Sequence, residues 1–451
     1  MTTPVIDYVN QYIASESVRM HMPGHKGQLL LGCESRDITE IKGAGELYTS
    51  EGPVGEGERN TAALFGTAKT CWVTEGSSQC IRAMLSLALH RSAGASKTVI
   101  AARNVHRSFL TACALLDADV VWLTPETADY TLCSCPVTPA QIEKAILALP
   151  QRPAAVWLTS PDYLGMLQDI SSAAAVCKRY DVPLLVDNAH GAYLKFLEPS
   201  CHPIELGADL CCDSAHKTLP ALTGCAYLHI SSDAPECFKT EAKRMLALFG
   251  STSPSWILLQ SLDAVNPILE SEYTLRLRQT VDSLAAMREH LQNVGWHFIG
   301  DEPLKLTIAA RKCGYSGHEL AERLRHNGIE CEYEDPDYLV LMPSPWNTAE
   351  DFIRLEDAML HIPVLQPLPQ PHFHLPEPQK VMSARDAMLA DAETVPVDEA
   401  VGKVLASGVL SCPPAIAVVT AGELISPEAA EIMKYYSMNE VSIVSKPPKN
   451  Q

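Results

Sequence analysis

From about residue 60 onward, short apolar runs alternate with stretches whose apolar residues recur at helical spacing. The runs end in Gly, Ser, Asp or His, and helical patterns follow them, as expected where strands feed helices. Strands are predicted over 70–74, 98–102, 119–123, 154–159, 183–186, 209–212 and 225–230. Helices are predicted between them, for example over 78–90 and 171–180. Such alternation predicts an α/β fold, with a mostly parallel seven-stranded sheet covered by helices on both faces. A long helical region over 257–294 follows, then a smaller α/β unit with a strand at 304–309, a helix at 318–327 and a strand at 338–342. Residues 363–378 carry six prolines and no core pattern, the composition of a linker. The first fifty residues are rich in glycine and charge and are expected to form an arm or loop segment outside the core.

This pattern divides the chain into an N-terminal segment (1–60), a large domain (61–260), a small α/β domain (261–362), the linker (363–379) and a C-terminal domain (380–451). A length of 451 residues agrees with several domains, since single cores rarely grow past about 250–300 residues. The net charge of -19 argues against nucleic acid and anionic membranes as partners. No basic start with an apolar stretch opens the chain, and no apolar run approaches the ~20 residues that span a bilayer. A cytoplasmic protein is expected. The 15 cysteines include no pair at the two-residue spacing of a zinc knuckle or redox dithiol, and read as reduced, mostly buried thiols. His21 and His25 stand four apart, but Pro23 and Gly24 between them argue against a helix presenting both to a metal, and no metal is expected.

In a parallel α/β sheet, ligands collect at the carboxyl ends of the strands. Four strand ends carry candidate chemistry. After 209–212 comes Asp213-Ser214-Ala215-His216-Lys217-Thr218, where a lysine at the sheet rim is placed to meet a ligand; an exposed surface lysine is the plainer alternative. After 183–186 come Asp187, Asn188, Ala189 and His190; the aspartate suits a protonated ring nitrogen, or serves only as a helix N-cap. The segment Thr74-Glu75-Gly76-Ser77-Ser78 opens a helix, where Ser hydroxyls and first-turn amides suit a phosphate or simply cap the helix. Finally, His106 follows the strand over 98–102 and is placed to stack on a flat ligand, or to serve a structural role.

The blocks DNAHGAY and LGADLCCDSAHKTLPALTG, with HMPGHKG, DITEI, RNVHRS, LTSPDYLG and Ser251-Thr252-Ser253-Pro254, resemble the Orn/Lys/Arg decarboxylase family of fold-type I enzymes that use pyridoxal 5'-phosphate (PLP). The resemblance covers nearly the whole chain and matches the short form, without an extra N-terminal regulatory domain. It implies α-decarboxylation of arginine, lysine or ornithine, with Lys217 as the Schiff-base lysine and Asp187 as partner of the pyridine nitrogen. It further implies that His106 stacks on the ring, that His190 bonds the 3′-oxygen, and that Ser77, Ser78, Ser214 and His216 hold the phosphate. Ser251 and Thr252 resemble a segment that reaches the phosphate from a neighbouring subunit, which implies a homodimer or larger homo-oligomer. Other outcomes of the same cofactor chemistry stay open, namely aminotransferase, aminomutase or lyase activity, as does a silent PLP-binding protein.

One departure stands out. Where many relatives carry a loop like PPGIPLLVPGE, residues 413–423 read PPAIAVVTAGE, with one glycine and two prolines replaced by alanine. These changes alter the backbone freedom of the loop. Glu423 remains, and is the residue expected to face a distal ammonium or guanidinium of the substrate, with a solvated surface glutamate as the alternative.

Overall fold

The computed structural model describes residues 1–92, 96–126, 132–371, 373–375, 377, 379–407 and 416–446. Seven strands form the large sheet: β1 (Lys69–Val73), β2 (Thr98–Ala102), β3 (Asp119–Leu123), β4 (Ala155–Thr159), β5 (Leu184–Asp187), β6 (Leu210–Asp213) and β7 (Ala226–Ile230). Their order is β1-β7-β6-β5-β4-β2-β3. The β2–β3, β4–β5 and β5–β6 pairs are parallel, while β7 runs antiparallel to both β6 and β1. All residues of β5, β6 and β7 are buried, which is why these strands read as continuous apolar runs with no alternation. Each of the seven strands predicted for this sheet forms, with its ends shifted by at most one residue.

One compact unit comprises residues 1–96, 142–160 and 169–277 and carries β1 and β4 to β7. Helix Gly52–Phe65 lies on β1 with no room to spare: a methyl group on Gly57 would stand 2.2 Å from the ring of Trp72. The next residue of that helix, Glu58, accepts a hydrogen bond from the Trp72 amide at 2.7 Å and pairs with the Lys243 ammonium, both side chains being buried.

The first fifty residues correct the expectation of a segment outside the core. Helix Pro4–Ala14 buries Val5 and Val9 completely. Its first-turn amides at Val5 and Ile6 donate to Asp263 Oδ2 at 2.9 and 3.0 Å, so a carboxylate remote in sequence caps the helix. His21 and His25 take separate partners, the Tyr12 hydroxyl and Asp37 Oδ2 respectively, as expected of structural residues. The long helical region is two helices, Trp256–Ser271 and Tyr273–Asn293, interrupted at Glu272.

A second compact unit comprises residues 97–141, 161–168 and 278–451. It holds a four-stranded sheet of β8 (Phe298–Ile299), β9 (Leu306–Ala309), β10 (Tyr333–Glu334) and β11 (Tyr338–Leu341), in the antiparallel order β10-β11-β9-β8. Helix Gly317–His326 begins at a capping box formed by Ser316 and Glu319, which fixes its start. Near the C-terminus β12 (Asp391–Pro396) pairs with β13 (Glu440–Lys446), and an apolar cluster forms around Val397, Leu405, Val418, Ile425, Met433 and Ile443. Every described cysteine is a free thiol. No described helix is long and apolar enough to cross a membrane.

Candidate active site

Strands β5 and β6 are parallel neighbours in the register Asp187↔Cys212, so the chain leaves both at the same edge of the sheet. That places the turn 187–191 beside the segment 213–217. Asp187 is 3% exposed, and its Oδ1 accepts from the Ala189 amide at 3.2 Å and the Cys212 thiol at 3.6 Å. His190 is buried, and its Nε2 lies 2.9 Å from Lys217 Nζ on the short helix Ala215–Thr218. The predicted lysine, aspartate and histidine thus belong to one strand-end cluster.

The turn depends on Gly191. A methyl group there would stand 2.0 Å from Asn188 Oδ1 and 2.8 Å from Leu194 Cδ1. Gly191→Ala is therefore expected to destabilise the protein by about 1–3 kcal/mol and to loosen the Asp187–His190 geometry. Denaturant midpoints and cofactor retention measured on the same samples check this.

After β1, Gly76 turns the chain with φ 69° into helix Ser77–Arg91, whose first turn has no side-chain cap. The Ser214 hydroxyl donates to Ser77 Oγ at 3.0 Å, bringing the end of β6 to this helix start. First-turn amides, the positive end of a 15-residue helix and hydroxyls from two segments make a site for an anion such as phosphate, with Ser78 next along the same turn. His216 lies on the short helix Ala215–Thr218. Its Nδ1 bonds the Cys225 carbonyl at 2.9 Å, and burial lowers its pKa. Since a carbonyl only accepts, the neutral ring keeps its proton on Nδ1 and leaves Nε2 as an acceptor. Ser251 and Thr252 are exposed, and the Ser251 amide donates to Glu75 Oε1 of its own chain at 2.6 Å.

In the second unit, His106 stands exposed at the end of β2 and caps helix Arg107–Leu116, accepting from the Ser108 amide at 3.2 Å. Asn104, two residues earlier, was not singled out from the sequence. It is 5% exposed, with neither side-chain amide atom hydrogen-bonded. A buried, unsatisfied amide costs free energy and is a common mark of a binding site, but the motif alone gave no reason to choose it.

The expectation that Glu423 faces a substrate cation is corrected. Both carboxylate oxygens bind the Arg103 guanidinium, at 2.7 and 3.2 Å, and Oε2 also accepts from the Thr420 amide at 2.8 Å. Arg103 donates further to the Ala417 and Val418 carbonyls. The cation that Glu423 meets is thus the protein's own. Residues 413–415 of the altered loop lie outside the described residues.

PLP requires an amine for its aldehyde carbon, an anionic partner for its ring nitrogen and an anion site for its phosphate. Lys217, Asp187 and the Ser77–Ser214 pair, all within one unit, are the residues that would supply them, and their chemistry fits the group. The fold, together with its match to the Orn/Lys/Arg decarboxylase family, defines a PLP-dependent amino-acid decarboxylase of fold type I. The chain belongs to the Orn/Lys/Arg decarboxylase family, whose major domain matches residues 3–299 and whose C-terminal domain matches residues 369–447. It is 28% identical over 459 residues to an arginine decarboxylase of Bacillus subtilis (strain 168), covering 94% of this chain and 92% of the relative. Among solved structures it resembles a lysine decarboxylase from Francisella novicida (TM-score 0.81, 18% identity, 98% of this chain and 81% of the other). It also resembles the constitutive lysine decarboxylase of Escherichia coli (TM-score 0.78, 19% identity, 98% of this chain and 82% of the other).

Proposed function

We propose that the protein removes the α-carboxylate of arginine, lysine or ornithine, giving the corresponding amine and carbon dioxide. The observation that carries this reading is the Lys217–His190 contact of 2.9 Å beside the buried Asp187, at the edge shared by β5 and β6. When bound, PLP supplies a conjugated ring able to accept the electron pair left at the α-carbon. The residues perform the rest. Lys217 provides the tethering amine, and His190 Nε2 is close enough to share its proton. Asp187, shielded from water, holds a proton at the pyridine nitrogen, an electrostatic arrangement set before any bond breaks. The first turn of helix Ser77–Arg91, with Ser77, Ser78 and Ser214, fixes the phosphate, and His106 offers a ring face. The Cα–carboxylate bond breaks, carbon dioxide leaves, and a proton from Lys217 or a neighbouring histidine takes its place.

The same reading assigns residues 61–260 to cofactor binding, with 261–362 and 380–451 as accessory domains and 363–379 as the linker between them. It also assigns a cytoplasmic homodimer in which exposed Ser251 and Thr252 reach the partner's phosphate site; the size of the active particle by light scattering tests this.

Incubation of the PLP-loaded protein with each basic amino acid, with carbon dioxide and amine quantified, tests the reaction. Release of both in equal amounts from at least one of them is expected. Keto acid without carbon dioxide, or no product at all, overturns the proposal. Asp187→Ala is expected to lower kcat by roughly 10²–10³-fold, the scale of losing one preorganised electrostatic partner, while the variant still forms its linkage to PLP through Lys217. Steady-state kinetics with absorbance spectra separate these effects.

A further inference from the structure

Behind the turn that carries Asp187 and His190 lies a charged group with no part in the chemistry above. Asp213, the last residue of β6, is fully buried, as are His202 and His229. Its Oδ2 lies 3.1 Å from His202 Nε2 and 3.3 Å from His229 Nε2. The antiparallel pairing of β6 with β7 sets His229 opposite Cys211, two residues from Asp213 and hence on the same face of the strand. Phe65 stacks on the His229 ring at 4.3 Å and meets His202 edge-on at 5.5 Å, while the Thr70 hydroxyl holds His229 Nδ1 at 2.8 Å. The imidazoles are thereby locked in place around the carboxylate.

The other oxygen, Oδ1, accepts from Asn188 Nδ2 at 2.7 Å. Asn188 follows Asp187 directly, and its own amide donates to the Cys212 carbonyl at 3.0 Å. Ser214, immediately after Asp213, donates its amide to the Ala189 carbonyl at 3.3 Å. The turn 187–191 is thus fastened to the end of β6 by two backbone bonds, by the Cys212 thiol on Asp187 and by the Asn188–Asp213 bond, the shorter of the two side-chain bonds. Burial raises the pKa of Asp213, but the two histidines outweigh it and hold the carboxyl well below its usual range. An ionised acceptor strengthens the bond from Asn188, and low surrounding polarity strengthens it further.

We propose that Asp213, clamped between His202 and His229, is a positioning residue of the cofactor site: through Asn188 it fixes the turn that presents Asp187 and His190 to the ligand held by Lys217. The inference rests on the reading of Lys217 and Asp187 as PLP residues. It also accounts for the tight fit at Gly191, since Asn188 held by Asp213 leaves no space there for a side chain.

The test uses full-length holoprotein carrying Asn188→Ala, Asp213→Ala or Asp213→Asn. Visible absorbance of the lysine-linked cofactor is followed from pH 6 to 9, and kcat and KM are measured separately. Asn188→Ala and Asp213→Ala are expected to shift the pH profile of the absorbance and to lower kcat about 10- to 100-fold, the scale of a sub-ångström to ångström misplacement, with KM changed less than kcat. Asp213→Asn, which keeps an oxygen for Asn188, is expected to recover most of kcat. Asn188→Ala keeps the test decisive should Asp213→Ala fail to fold. A wild-type spectrum and kcat in Asn188→Ala overturns the inference while leaving the proposed function intact.

Metal analysis of the wild-type holoprotein adds a second criterion. The donor atoms of His202, Cys211 and Asp213 lie within 4.8 Å of one another. One bound metal ion per chain, lost in Asp213→Ala, overturns the clamp of Asp213 between the two imidazoles in favour of a metal site. Wild-type protein that shows no lysine-linked cofactor absorbance defeats the parent reading, and the inference with it.

Discussion

Lys217→Ala is expected to abolish turnover, with kcat reduced by at least ~10⁴-fold, the scale seen when a covalent catalytic group is removed. The reason is positional as well as chemical. Lys217 sits on a single helical turn, Ala215–Thr218, directly after a buried strand, with its Nζ 2.9 Å from His190. Among the predicted site residues, no other lysine is available to take over. Thr218, next in the chain, is anchored through its carbonyl to the Tyr273 hydroxyl at 2.9 Å, so the turn is held from both sides. The variant should still retain PLP through the phosphate cradle, but without the visible band of the lysine-linked cofactor. Borohydride reduction followed by peptide mapping should label Lys217 in the wild type and nothing in the variant. Labelling of another lysine would break the assignment.

The second large effect concerns stability. Glu423→Ala is expected to destabilise the fold by about 3–5 kcal/mol, because it leaves the Arg103 guanidinium charged, buried and unpaired. The side chains of Arg103 and Glu423 are 1% and 5% exposed, so solvent cannot compensate for the loss. The planar guanidinium also bridges the Ala417 and Val418 carbonyls and lies over the Trp122 ring at 5.2 Å, which fixes it against reorientation. Replacing both partners, as Arg103→Met with Glu423→Leu, should recover much of the loss, since an apolar pair of similar volume avoids the desolvation cost. Thermal or denaturant melts of the two single variants and the double variant would show it. If Glu423 instead bound substrate, Glu423→Gln would raise KM for basic amino acids while leaving the melting temperature near that of the wild type.

Much of the large sheet could be read from the chain because β4 to β7 are buried on both faces. Apart from His229 within β7, their sequences are apolar runs, and β4, β5 and β6 end sharply in a polar residue, as at Asp187 and Asp213. The four-stranded sheet was only partly legible. Strands β8 and β10 are two residues each, too short to show a period. Strand β12 (DAETVP) is mostly exposed and carries no alternation to recognise. Helix Pro4–Ala14 offered Pro at its start and valines four apart at Val5 and Val9, but the glycine-rich stretch after it masked the signal.

For the site, residue type and position at a strand end pointed to Lys217, Asp187 and the Ser77 turn, all of which cluster. What no local pattern contains is a pairing between residues far apart. Arg103 and Glu423 are 320 positions apart, and nothing near either names the other. His202 and His229 flank the Asp213 segment from a loop and from an antiparallel strand, so their convergence is a product of topology.

The capping of the first helix has a bearing on how the polypeptide matures. Val5 and Asp263 are 258 positions apart, yet the bond between them closes the opening helix. A nascent chain emerging from the ribosome holds that helix without its terminal acceptor until nearly three-fifths of the protein has been made. Contacts of such long sequence separation slow folding. A truncated product ending before residue 263 would leave the Val5 and Ile6 amides to water in place of the carboxylate, a weaker start for the helix.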